Sequence, residues 1–224
     1  MLQEIFAKRV QTHTWTDNIP SKELINSLLK KTYETVPSKQ NLVPYQVIIW
    51  GPNVKKNDFR DFCRWGVGKM DVDCRRGTVQ LLAPYVLFFC TREINDINGM
   101  LKRSLKKGHL HTILNANTMI TDPEEVLFLP IEAKRLCIEI GMFSSILTGY
   151  CMEENLSVSY TLCMPPPKYK VNGDWIPNNE WKMFGFQPGQ VLFSMSIGYS
   201  DQEKSGRSED EVKPPVENIL NWIK

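Results

Sequence analysis

The chain has 224 residues, 27 basic and 25 acidic, for a formal net charge of +2. Charges this close to balance, with no long single-sign run, exclude the electrostatic footprint of a nucleic-acid or membrane-surface binder. No apolar run reaches the roughly 18 residues of a membrane span, and the N-terminus lacks the apolar core of a secretory leader, so a single cytoplasmic domain over residues 1–224 is expected, its partner a small molecule or another protein.

In chain order, Leu24, Ile25, Leu28 and Leu29 form one stripe behind Pro20-Ser21, which predicts an amphipathic helix over 21–35 that ends before Pro37. The connection Pro37-Ser38-Lys39-Gln40-Asn41-Leu42-Val43-Pro44-Tyr45 follows, then the apolar run 45–50, predicted as a strand buried on both faces and stopped by Gly51-Pro52. Residues 53–82 read as helical with a break near Gly66-Val67-Gly68, and Tyr85 to Cys90 as a second buried strand. Residues 91–130 carry weak helical signal. Over 131–154 the steps Leu136, Ile140, Phe143, Leu147 and Cys151 mark the strongest helix, while Gly141, Ser144, Ser145 and Gly149 suggest a small face for close packing. A short strand at 158–163, a loop-like insertion from Pro165 to Gly189 and a third clear strand at 190–198 precede a charged tail with apolar spacing at Ile219, Leu220, Trp222 and Ile223. Few apolar strands separated by long helical stretches predict a mixed sheet with helices on both faces.

Candidate catalytic side chains are sparse. Phosphate-binding glycine loops and metalloprotease or serine-hydrolase signatures are absent. The six cysteines are widely spaced and read as reduced core thiols, and His109 and His111 lack nearby acidic or cysteine partners for a metal. The pairs Glu124-Glu125 and Glu153-Glu154 read as solvated helix positions. An enzyme of this composition would draw its reactivity from a bound cofactor.

Three patches, taken in order, point to one. Arg9-Val10-Gln11-Thr12-His13-Thr14-Trp15 precedes the first helix, Pro37-Ser38 with Asn41 follows it, and Ser196-Ile197-Gly198-Tyr199 ends the last strand with Lys204 and Arg207 beyond. Together with Ala83-Pro84 before the second strand, they resemble the FMN-dependent nitroreductase family, whose corresponding motifs are R-R-S-x-R-x-F, A-P-S-x-x-N-x-Q-P-W and a strand ending in G-Y.

The resemblance implies an α+β, three-layer α/β/α fold with a mainly antiparallel central sheet, in a homodimer that holds FMN at the subunit interface. It implies NAD(P)H as electron donor and a nitroaromatic or quinone-type acceptor reduced through the flavin. Arg9 and Arg207, with Lys204 in support, would bind the phosphate and ribityl chain. Pro37, Ser38 and Asn41 would line the flavin, and Tyr160 and Thr161 would pass its other side. Val10, Gln11 and His13 occupy cofactor-binding positions but replace a basic residue, a serine and a basic residue respectively. Those departures also admit a degenerate member that binds flavin or a partner without catalysis. Dehydrogenation or dehalogenation is a further alternative on the same fold.

Overall fold

The computed structural model describes residues 9–38, 43–63, 78–91, 131–162, 164–165 and 167–200. Its main sheet has four strands: β1 (Tyr45–Trp50), β2 (Tyr85–Thr91), β3 (Ser157–Thr161) and β6 (Val191–Gly198), in the order β1-β2-β6-β3. Every pairing in it is antiparallel. Side chains alternate across a strand, so β2 sends Tyr85, Leu87 and Phe89 to one face and Val86, Phe88 and Cys90 to the other. The first set packs with Met195, Ile197 and Val158 against α1 (Lys22–Thr35) and α3 (Ile131–Glu153). The second packs with Phe59, Leu81, Trp181 and Phe186, contributed by α2 (Asn57–Phe62), a 3-10 turn at Val79–Leu82 and the segment around a second turn at Asn179–Phe184. The three-layer α/β/α arrangement is as expected.

Both long helices start or stop where the sequence dictates. Ser21 caps α1 by accepting a hydrogen bond from the Leu24 amide at 3.1 Å. At the end of α3, Leu156 N bonds Cys151 O at 2.8 Å and Asn155 N bonds Met152 O at 3.1 Å, a Schellman closure with Asn155 in the left-handed region at φ 57°. Leu136, Ile140, Phe143, Leu147 and Cys151 all face the core. The small residues divide: Ser144 and Gly149 are buried, whereas Gly141 and Ser145 face outward. Lys31 sits 3.8 Å from the Tyr150 ring centre and 3.5 Å from Glu153, tying α1 to α3 across their exposed seam.

Three expectations need correction. First, β1 lies at the edge among the described strands, Gln46 and Ile49 are exposed, and only part of its apolar run is covered. Second, the described part of the helical stretch expected over 53–82 holds the short α2 and the turn at 79–82, with 53–56 outside any helix; residues 64–77, with the expected break, lie outside the described residues, as do 92–130 and the tail from 201. Third, the insertion holds a two-stranded sheet, β4 (Lys168–Val171) and β5 (Asp174–Pro177). Asn172 at φ 50° and Gly173 at φ 97° make the two-residue turn that joins them.

Cys63, Cys90, Cys137 and Cys151 are free thiols, and no metal-binding cluster occurs among the described residues. No helix there is long and apolar enough to cross a membrane.

Lys56 joins the ends of β1 and β2. Its Nζ donates to Gly51 O at 2.8 Å and Pro84 O at 3.0 Å, and burial pulls the ammonium down from 10.5 to about 8. Across that window the unfolded chain holds a proton that the folded chain has released. Stability from this group therefore rises with pH between about 8 and 10.5. Unfolding free energies of the wild type measured against Lys56→Met should shift in favour of the wild type over that interval and run flat below it.

The β3–β6 half of the second face is lined by hydroxyls. Ser159 lies opposite Ser196 and Thr161 opposite Ser194, all buried, and the Ser159, Thr161 and Ser196 oxygens have no partner among the described residues. Two residues along β6, a Cβ on Gly198 would lie 2.7 Å from Pro84 Cδ and 2.9 Å from Trp15 Cε3. Gly198→Ala should lower stability by about 1–3 kcal/mol through overpacking. Ser196→Ala, which removes only an unpartnered hydroxyl, should leave it unchanged or raised, both read by urea unfolding.

Candidate functional site

The N-terminal segment runs beside β3, the edge of the sheet. There the Gln11 side-chain amide takes the place of a neighbouring strand: its Nε2 donates to Tyr160 O at 2.8 Å, and Tyr160 N donates to its Oε1 at 3.4 Å. This reciprocal pair fixes the register of residues 9–16 against β3, assisted by the Thr16 N bond to Tyr199 O at 2.9 Å. The Arg9 guanidinium is thereby brought over the Tyr160 ring, 5.5 Å from its centre. Arg9 Nη1 is buried and has no hydrogen-bond partner among the described residues.

Tyr160 is held from its other end. Thr148 Oγ1 donates its proton to Ser144 O at 2.7 Å, so in the short contact between Thr148 and Tyr160 the phenol is the donor. Burial raises the Tyr160 phenol above its ordinary value, opposed by the nearby Arg9 charge, and it stays protonated. Arg9, Gln11, Tyr160 and Thr148 thus form one connected group. His13, further along the segment, is exposed; its Nδ1 lies 3.1 Å from the Gln80 amide nitrogen, which places the ring proton on Nε2. Val10 is half-buried, and Thr161 turns its buried hydroxyl to the opposite face of β3.

The second patch forms elsewhere on the molecule. Ser38 Oγ donates to Glu139 Oε2 at 2.9 Å and accepts from Val43 N at 3.0 Å. The loop is therefore closed on itself and tethered to α3. Val43 sits at φ 42°, an unfavourable conformation for a β-branched residue that the surrounding bonds hold in place. Glu139 is almost completely buried at 2 % exposure, and Tyr45 beside it has its phenol pushed upward by burial first and by the Glu139 charge second. Glu139 and Thr148 are nine residues apart on one helix, so the Ser38 and Arg9 patches are separated by about 13 Å along its axis at about 1.5 Å per residue. Pro37 is exposed, while Asn41, Lys204 and Arg207 lie outside the described residues.

Glu139 and Thr148 were not among the residues expected from sequence. A lone acid in the apolar run Ile138-Glu139-Ile140 was the available signal for the first; the second had none.

No protein-family model matches the chain, and no curated protein matches it. Solved structures do. A nitroreductase-like protein from Streptococcus mutans covers 99 % of this chain and 97 % of its own, with 16 % identity and a TM-score of 0.61. The chain has the nitroreductase fold. A candidate nitroreductase from Exiguobacterium sibiricum, in complex with FMN, aligns over 100 % of this chain and 97 % of its own at 14 % identity and TM-score 0.61. A candidate NAD(P)H:FMN oxidoreductase from Staphylococcus epidermidis aligns over 100 % and 96 % at 13 % identity and TM-score 0.58.

Thr148→Val leaves the Tyr160 phenol buried without its acceptor and should cost about 1–3 kcal/mol of stability. Combining it with Tyr160→Phe should recover much of that loss, giving a coupling energy in a double-mutant cycle by urea unfolding.

Proposed function

We propose that this protein is an FMN-dependent oxidoreductase that uses NAD(P)H to reduce small electron-poor acceptors of the nitroaromatic or quinone type. The observation that carries the reading is Arg9. A buried guanidinium nitrogen without a partner is costly, and a phosphate with nearly two negative charges is a fitting complement. His13 lies on the same segment, and Lys204 and Arg207 are further phosphate candidates. The FMN complex of a fold relative supports the choice of cofactor.

Bound FMN would supply the hydride chemistry at its N5, so the scheme asks no acid or base of this chain. Arg9 would hold the phosphate end, Tyr160 would fix the position of Arg9, and Gln11 would hold both on the β3 edge. Ser38 has both its hydrogen bonds satisfied within the chain, so its part is to set the shape of the Pro37–Asn41 shelf. The separation of that shelf from Arg9 within one chain favours a homodimer in which the partner subunit supplies it. The outward stripe of Cys137, Ile138, Gly141 and Ser145 on α3 is the surface suited to that contact; Ile138 is 61 % exposed, and a Cβ on Gly141 would meet nothing within 4 Å.

Purified protein should take up FMN, show flavin absorbance and bleach anaerobically with NADH or NADPH. Arg9→Ala should weaken FMN binding by about tenfold or more, the equivalent of one hydrogen bond to a charged group. A colourless protein that takes up no FMN would overturn the proposal. Bound flavin that neither nicotinamide bleaches would transfer the assignment to a flavin-binding protein without this activity.

A further inference from the structure

A cavity of about 430 Å³ opens between the 13–19 segment, the turn after β1 and the 3-10 turn before β2. Its volume lies within the ordinary range of small-molecule sites. Trp15, Ile19, Pro52, Leu82 and Pro84 give it an apolar wall, and Lys56 lines it from within.

Lys56 is incompletely satisfied. A protonated amine has three N–H donors, and the carbonyls of Gly51 and Pro84 accept two of them. Among the described residues nothing accepts the third, and no carboxylate pairs with this lysine, which is only 7 % exposed. A buried cation without a counter-ion is expensive. A ligand anion in the cavity would supply that counter-ion.

We propose that this cavity is a second small-molecule site, one that takes a monocarboxylate with a compact apolar body and seats its carboxylate on the third donor of Lys56. The apolar wall accepts the body. His13 and Asp17 are the other titratable groups on the lining, both exposed; the Asp17 charge disfavours a second anionic group, which selects one carboxylate over two. The cavity shares His13 with the flavin assignment, but the Lys56 ammonium bonds only Gly51 O and Pro84 O, neither of which is placed there.

Burial holds Lys56 at about 8, so the free protein carries the charge at neutral pH and loses it above. Binding should be tightest below pH 8 and weaken above it, by at most about tenfold per pH unit, because one proton is linked to one ligand.

Cyclohexanecarboxylate is a suitable probe because its non-planar ring is poorly shaped to stack on a flavin, and cyclohexanecarboxamide is its uncharged counterpart. Calorimetric titration of the full chain at pH 7 should give saturable binding of the carboxylate at one site and at least tenfold weaker binding of the amide. Lys56→Met should abolish it. Leu82→Trp, which fills the cavity from its rim and keeps the lysine, should abolish it as well, with FMN uptake unchanged in both variants. Circular dichroism would establish that each variant is folded. The proposal is overturned by absence of saturable carboxylate binding, by equal binding of the amide, by retention of affinity in folded Lys56→Met, or by affinity that does not change between pH 7 and 9.5.

Discussion

The fold depends on one constraint, the complete burial of β2 on both faces. Tyr85 through Cys90 present apolar side chains alternately up and down, and every one is removed from water. Such a strand needs a neighbour on each side for its backbone and a layer on each face for its side chains. β1 and β6 meet the first demand, with α1 and α3 above and the aromatic group of Trp50, Phe59, Phe88, Trp181 and Phe186 below meeting the second. The aromatic layer is held by edge-on contacts such as Trp50 with Phe88 at 4.8 Å. Both candidate sites lie where this sandwich ends: one at the β3 edge, the other where the chain leaves β1 and enters β2.

Much of this was readable from period and punctuation. α1, β2, α3 and β6 follow from apolar spacing because packing and local propensity agree there, and Ser21 and Asn155 mark boundaries through cap chemistry visible in one dimension. The hairpin β4–β5 is obscured in the sequence by the run Pro165-Pro166-Pro167, whose composition is that of a loop. Its turn, Asn172-Gly173 between Lys168–Val171 and Asp174–Pro177, is the strongest short hairpin signal in the chain. Burial of β1 was overestimated because apolar content does not reveal whether a strand is central or at an edge.

The sites were legible in outline only. The resemblance singled out eleven residues between Arg9 and Arg207; of the described ones the structure brings Arg9, Gln11 and Tyr160 together and places Ser38 elsewhere. The partners of these residues were not legible, since they come from far away in the chain: Glu139 is 101 positions from Ser38, and Tyr160 is 149 from Gln11. A single chain records residue types, but the pairing that converts a serine from ligand donor to loop brace is a property of the packed helix beneath it. Lys56 was passed over for the same reason, being an ordinary lysine until two carbonyls and a hydrophobic wall surround it.

The side chain of Gln11 has a consequence beyond its part in the site. Among the described strands β3 lies at the edge of the sheet, and edge strands with free amides and carbonyls invite pairing with other chains. By occupying the N–H and C=O of Tyr160, the next-to-last residue of the strand, one glutamine takes a donor and an acceptor away from its outer side. The Gln11 side chain thus stands as a local plug against edge-to-edge pairing.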